Sequence, residues 1–420
     1  MFKKIVLKNG VRLITAPMPQ SQTTAVLVLV ATGSKNETKE INGLSHFLEH
    51  MFFKGTARRP DTLAISEALD EVGGAYNAFT SKEFTGFWAK VASEHLDLAL
   101  DWVADILLHS RFEAGEIEKE KGVILQEINM VQDTPMRYVE DLWEKLLYGD
   151  QPAGWDGLGT KDSVNKMNRR QFLDYFKTHY RAENLIVCLA GKIGDRVEKK
   201  VLKYFSGLKK GSVPERPRVW ESQTVPRAMC HFKKTDQTHL CLGVRAYDIF
   251  HPDRFALAIL GSILGGTMSS RLFISVREKK GLAYYIRTSV ENYTDSGYLV
   301  TQAGVANDKV GEAIRAILKE YQKIRDQKIS AREILKAKEN FKGSTKLHLE
   351  TSDEVASWLG AQEILKKEVL TPEQLFGKIE KVTAEDLQRV AQDIFQPDKL
   401  NLALIGPFKE KERFERMLKL

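Results

Sequence analysis

The chain has 420 residues, 43% of them hydrophobic and 28% charged, an ordinary globular composition with enough length for two or more domains and a large core. The 63 basic and 56 acidic residues leave a net charge of +7, with no basic block interleaved with aromatics, which excludes a nucleic-acid footprint. Three cysteines, Cys188, Cys230 and Cys241, exclude a disulfide framework and fit a reducing compartment.

The first element predicted is a hairpin. Asn9-Gly10 between Ile5-Val6-Leu7 and Val11-Arg12-Leu13-Ile14 is a turn signal, so the basic start Met1-Phe2-Lys3-Lys4 does not lead into a signal-peptide core. The apolar run 25–31 is too short to span a bilayer. No stable membrane insertion is expected, and the protein is expected to be cytoplasmic. Residues 44–54 read as a helix, with Leu44, Phe47, Leu48, Met51 and Phe52 giving an apolar side and Gly55 placed to end it. Gly73-Gly74-Ala75-Tyr76 begins a strand pair continued by residues 87–91, and a helix follows over about 94–108. Residues 116–132 read as a further helix with Ile117, Ile124, Ile128 and Val131 as its stripe. Residues 185–190 read as a buried strand, in which Cys188 is packing and not a nucleophile.

The same order of elements returns with an offset near 210 residues. Gly281-Leu282-Ala283-Tyr284 begins a second strand pair, residues 298–303 form its second member, and residues 309–324 its helix. Between the halves, residues 207–226 contain Gly211, Pro214, Pro217 and Pro226, which is linker composition. The chain therefore divides into 1–210, a linker at 211–226, and 227–420. Each half mixes hairpins and helices, so the expected class is α+β, two homologous domains, each an antiparallel sheet layered with helices.

The chemistry concentrates in His46-Phe47-Leu48-Glu49-His50. Residues four apart share a helix face, so His46 and His50 can present two imidazoles to one zinc ion. Glu49 lies beside the second histidine and can act on a water there without being a ligand. The order H-x-x-E-H is the inverzincin signature. Nine histidines make a chance His-x-x-x-His pair ordinary, and the alternative is a helix with two partly exposed histidines. A third ligand decides between them, because zinc hydrolases use three protein ligands. Glu127 is assigned that role, since Glu120 and Glu127 lie two turns apart beside the apolar stripe of their helix. Glu120 is placed to hydrogen-bond a ligand's second nitrogen. A solvated charged face is the competing reading, given Glu116, Glu118, Lys119 and Lys121 nearby.

On these residues the sequence resembles the pitrilysin family of zinc peptidases. That family's motif is H-x-x-E-H followed about 75 residues later by a glutamate, and here 76 residues separate His50 from Glu127. Glu120, residues 51–56 and the stretch 73–78 with Thr80 also resemble it, and the likeness runs from about Lys8 to Pro407. The nearest type is the short bacterial proteins similar to the mitochondrial processing peptidase β subunit. The resemblance implies that family's duplicated fold, one zinc per chain, and peptide hydrolysis with Glu49 as base. It implies roles for Arg277 as a binder of a substrate carbonyl and for Tyr284 as a donor to the oxyanion. It also implies a substrate-docking edge at Ala75, Asn77 and Ala78, where a peptide would add as a strand. Read without it, Arg277 is a surface cation and Tyr284 a partly buried strand residue.

Moving the motif forward by 208 positions lands on residues 254–258, which hold no ligand, so the second half is expected to bind no metal. One departure concerns specificity. Family members that cleave mitochondrial presequences carry an acidic pair ten and fourteen residues after the third ligand, where this chain has Arg137 and Asp141. Selection of an upstream arginine is therefore not expected. The expected function is a zinc endopeptidase acting on short unfolded peptides in a closed chamber, as a homodimer. The alternatives are a catalytic subunit that needs an inactive partner chain, and a non-catalytic structural subunit.

Overall fold

A computed structural model describes residues 2–420. The Asn9-Gly10 turn joins β1 (Lys3–Val6) to β2 (Arg12–Pro17) in an antiparallel hairpin. Gly10 has φ +97°, a left-handed conformation that glycine adopts without a Cβ clash, and its N–H donates to Leu7 O at 2.8 Å. The apolar runs become β3 (Thr23–Val30) and β6 (Leu185–Gly191), both buried along almost their whole length. The predicted strand pair is β4 (Ala75–Thr80) and β5 (Thr85–Ala92). These six form one sheet in the order β1-β2-β6-β3-β5-β4.

The second half repeats the plan. Strands β7 (Arg227–Phe232), β8 (Gln237–Arg245), β9 (Ala283–Asn292), β10 (Gly297–Ala306) and β11 (Leu400–Gly406) form a sheet in the order β7-β11-β8-β10-β9. Position by position, β2, β6, β3, β5 and β4 correspond to β7, β11, β8, β10 and β9. The strand directions match as well: β2 runs parallel to β6 and β7 to β11, while the remaining pairs are antiparallel. The duplication is thus visible in topology. The sheets are mixed, not purely antiparallel, because each parallel pair is joined through most of its half, a connection long enough for a crossover.

Contacts divide the chain into two compact units whose bounds cross the two halves. One unit gathers the residues up to Asn129 with Asp156–Pro217 and Lys346–Thr371; the other gathers Met130–Trp155, Arg218–Thr345 and Pro372–Leu420. In the first unit, side chains alternate across β3. Ala25, Leu27 and Leu29 pack against the helix Ser352–Lys366 through Ala356, Leu359 and Ile364, while Val26, Val28 and Val30 are equally buried on the other face. Gly360 makes the approach possible: a Cβ there would lie 2.8 Å from Leu29 Cδ1 and 3.0 Å from Cys188 Sγ. In the second unit, the helix Pro135–Tyr148 buries Val139, Leu142, Trp143, Leu146 and Leu147 with Cys241, Val300, Ala403 and Ile405. Each sheet is therefore covered on one face by a helix encoded in the other half. A division at 211–226 does not capture this exchange, because an amphipathic stripe does not name the sheet it covers.

The segment between Tyr204 and Arg227 has neither helix nor strand, as its composition predicts. It is nonetheless tied down. Arg216 bonds Glu83 O at 2.7 Å in the first unit, and the N–H groups of Val219 and Trp220 donate to Asp295 and Gln151, both at 2.9 Å, in the second. Among the described residues no helix is long and apolar enough to cross a membrane.

Candidate metal centre

The motif forms the helix Leu44–Met51, shorter than the 44–54 expected and followed by turns up to Gly55. Its apolar positions recur at i, i+3, i+4 and i+7, and Leu44, Phe47, Leu48 and Met51 are all buried. Phe47 meets Phe172 edge-on at 4.9 Å, fixing the helix against the first unit's core. That packing turns His46, Glu49 and His50 to the opposite, half-buried face. The second predicted helix is observed over Ala114–Gln132, with Ile117, Ile124, Ile128 and Val131 buried. Its outer face carries Glu118 and Lys119, both exposed and paired with Lys121 and Glu116, so the solvated-face reading applies to Glu118 and Lys119.

Glu127 is turned inward. Its Oε2 lies 3.5 Å from His46 Nε2 and 3.6 Å from His50 Nε2. Three donors around a tetrahedral zinc with bonds of about 2.0–2.1 Å stand roughly 3.3 Å apart, so the spacing observed is near what the ion requires. Among the described residues, His46, His50 and Glu127 are the one group of three His, Cys, Asp or Glu side chains with ligand atoms this close, all within 4.8 Å. Two imidazole nitrogens and a carboxylate oxygen are a donor set suited to zinc.

The surrounding shell orients these donors. Glu120 is 5% exposed; its Oε1 lies 2.9 Å from His50 Nδ1 and its Oε2 2.6 Å from the Lys54 ammonium. An N–H at Nδ1 donating to Glu120 leaves the Nε2 lone pair facing Glu127. Burial pushes the Glu120 carboxyl up, but the bonds from His50 and Lys54 outweigh it and hold the group below the usual carboxylate range. Glu49 is lifted above that range, chiefly by burial, although the hydroxyl of Thr80 donates to its Oε2 at 2.5 Å and pulls the other way. Thr80 is the last residue of β4, so the sheet edge and the proposed base are coupled through one hydrogen bond.

The other residues singled out lie on their expected elements. Ala75, Asn77 and Ala78 are on β4, an edge strand, with Ala75 and Asn77 exposed and Ala78 buried. The second unit carries Arg277 in a π-helical turn, Phe273–Glu278, with its guanidinium 4.6 Å over the Phe273 ring. Tyr284 is on edge strand β9 and 76% exposed. Sequence reasoning gave no role to Lys54, Thr80 or Glu37. Lys54 stands four residues after His50, and that spacing was the available signal. Thr80 reaches Glu49 only through sheet geometry. Glu37, 2% exposed, bonds the start of the motif helix from a stretch with no helical pattern.

A His2Glu donor set with an adjacent carboxylate is the arrangement that zinc metallopeptidases use. Residues 12–161 match the family model described as insulinase (peptidase family M16), and residues 166–341 match that of the M16 inactive domain. The chain belongs to peptidase family M16, the pitrilysin family. It is 37% identical over 410 residues to the "uncharacterized zinc protease YmxG" of Bacillus subtilis (strain 168), covering 97% of this chain and 98% of that one. It is 33% identical over 421 residues to the "uncharacterized zinc protease Rv2782c" of Mycobacterium tuberculosis, covering 99% and 96%. A protease from Helicobacter pylori superposes with a TM-score of 0.91 at 24% identity over 97% of this chain and 99% of its own. A chain of complex III2 from Candida albicans does so with 0.85 at 18% identity, each chain wholly covered. The two structural likenesses establish the fold.

Proposed function

We propose that the protein is a zinc-dependent endopeptidase for short unfolded peptides, with one zinc per chain held by His46, His50 and Glu127. The observation that supports this most is the Glu127 oxygen 3.5 and 3.6 Å from the two histidine nitrogens. When bound, zinc supplies Lewis acidity, lowering the pKa of a water toward 7 and polarising a carbonyl. The chain's own residues do the rest. Glu49 takes the water's proton and passes it to the leaving amine, a task favoured by a carboxyl lifted above its ordinary range. Glu120 holds the His50 tautomer. The exposed edge of β4 offers backbone groups to an extended peptide, which adds as a strand.

Arg277 and Tyr284 are assigned to the substrate carbonyl and the developing oxyanion. The exposure of Tyr284 on β9 leaves its hydroxyl available to a substrate. Tyr284→Phe is expected to lower kcat by about 10²- to 10³-fold, the scale of one lost oxyanion donor, with zinc content and KM little changed. Unchanged kcat would remove Tyr284 from the mechanism. Because these residues share a chain with the metal ligands, a self-sufficient homodimer is preferred over a catalytic subunit with an inactive partner. Activity that co-elutes with a single-chain dimer on a sizing column distinguishes the two. The three free cysteines, Cys188 and Cys241 buried among them, support a cytoplasmic location.

Substrate size follows from the docking mode. A folded domain offers no free extended segment to the β4 edge, and a chamber enclosed by two chains would not admit it. The test is a matched pair: a peptide that is cleaved in the presence of zinc and spared with chelator, and the same sequence in an ordered loop of a stable domain. The free peptide is expected to be cut and the embedded one left intact. Equal rates on both would rule out the closed chamber.

A further inference from the structure

We propose that Glu37 is a positioning residue for the metal centre: its buried carboxylate supplies the N-terminal cap that the motif helix lacks and thereby fixes His46. The proposal rests on the zinc reading above. The helix Leu44–Met51 has only eight residues, too few to be stable on their own. Its N-cap position is Gly43, which has no side chain to satisfy the first N–H groups. Glycine is required there, because φ is +95° and a Cβ would stand 2.5 Å from Leu158 O. Glu37 takes over from six residues upstream. Its Oε2 accepts from the Gly43 N–H at 2.7 Å and from Asn42 Nδ2 at 3.1 Å; its Oε1 accepts from the Ser45 N–H at 2.7 Å.

The bonded N–H groups flank the start of the helix, and Ser45 immediately precedes His46. Tyr175 anchors the same turn, its hydroxyl 2.8 Å from both Ser45 Oγ and Thr32 Oγ1. The helix start is therefore held through Glu37 at the backbone N–H groups of Gly43 and Ser45 and through Tyr175 at the Ser45 hydroxyl. Charge matters too. The N-terminus of a helix carries a partial positive charge, which opposes a dication on a first-turn histidine. A carboxylate at that end offsets it, and with Glu37 at 2% exposure solvent screens little of the effect. Burial pushes the Glu37 carboxyl up to about 7, against the pull of its N–H donors.

The experiment uses the full chain, stripped of metal, and measures zinc affinity against a competing chelator and the visible spectrum of the cobalt(II) form. Glu37→Gln keeps the shape, removes the charge and replaces one of the two acceptor oxygens with an NH2 that cannot accept from a backbone N–H. It is expected to bind zinc about 10- to 100-fold more weakly, the scale seen when an outer partner of a ligand is lost, and to shift the cobalt bands. Glu37→Asp, which keeps the charge one methylene short, should fall between; if Glu37→Gln does not fold, the aspartate variant carries the test and must bind more weakly than wild type. Val187→Ala, in the buried strand β6, controls for stability: it should lower the urea midpoint without changing zinc affinity or the spectrum. Wild-type affinity and spectrum in the folded Glu37 variants would overturn the proposal, as would an equal zinc loss in Val187→Ala. A wild-type protein that binds neither metal would instead refute the zinc reading, and this inference with it.

Discussion

Replacing Glu49 by glutamine is expected to leave fold and zinc content intact and to lower kcat by roughly 10²- to 10⁴-fold, the usual contribution of a general base. The geometry makes this a clean substitution. Thr80 donates to Glu49 Oε2, and the amide oxygen of glutamine can accept the same bond, so the side chain stays in place. What is lost is the capacity to take a proton, because an amide is not basic. Glu49 is outside the proposed ligand set, so metal should remain. His50→Ala is the contrast: it removes a ligand and leaves Glu120 without its imidazole partner, so zinc and activity should go together. The measurement is metal content beside kcat for each variant. A zinc-replete Glu49→Gln protein with near-normal turnover would show that the base has been misassigned.

Separating the chain at its linker should have a still broader effect. Residues 1–210 and 227–420, made as two polypeptides, are each expected to fail to fold alone and to recover structure when produced together. The first fragment would carry Val139, Leu142, Trp143, Leu146 and Leu147 with no sheet to cover, and its own sheet would lack the helix Ser352–Lys366. Burying a large apolar side chain is worth about 1.5–3 kcal/mol, so that helix face alone represents roughly 7–15 kcal/mol. A whole domain is stable by about 5–15 kcal/mol, so the loss is of the same size as the total. Near-ultraviolet circular dichroism and urea titration of each fragment provide the check. Cooperative unfolding of residues 1–210 alone, with zinc affinity retained, would mean that the exchanged helices are dispensable.

Much of the centre was legible in the sequence because its signals are local or strictly spaced. A four-residue step on a helix puts His46 and His50 on one face, and a seven-residue step brings Glu120 and Glu127 back to another. The hairpin at Asn9-Gly10, the buried strand at 185–190 and the strand pairs begun by Gly73 and Gly281 were legible for the same reason, while β7, β8 and β11 gave no such local signal. Lys54 was within reach of the same four-residue rule. Thr80 and Glu37 were not, because the contacts of Thr80 with Glu49 and of Glu37 with Gly43 and Ser45 depend on how separate segments meet.

The sequence by itself determined the α+β class, the duplication and the metal motif, through periodicity and spacing along a single chain. The tertiary structure alone decided that each sheet contains a parallel pair, and that the helices Pro135–Tyr148 and Ser352–Lys366 are exchanged between the halves of the sequence. It also decided that a buried carboxylate caps the motif helix from outside. The physical reason is common to all three. An apolar stripe or an unsatisfied N–H specifies that a partner is needed, while the identity of that partner is fixed only when the whole chain has packed.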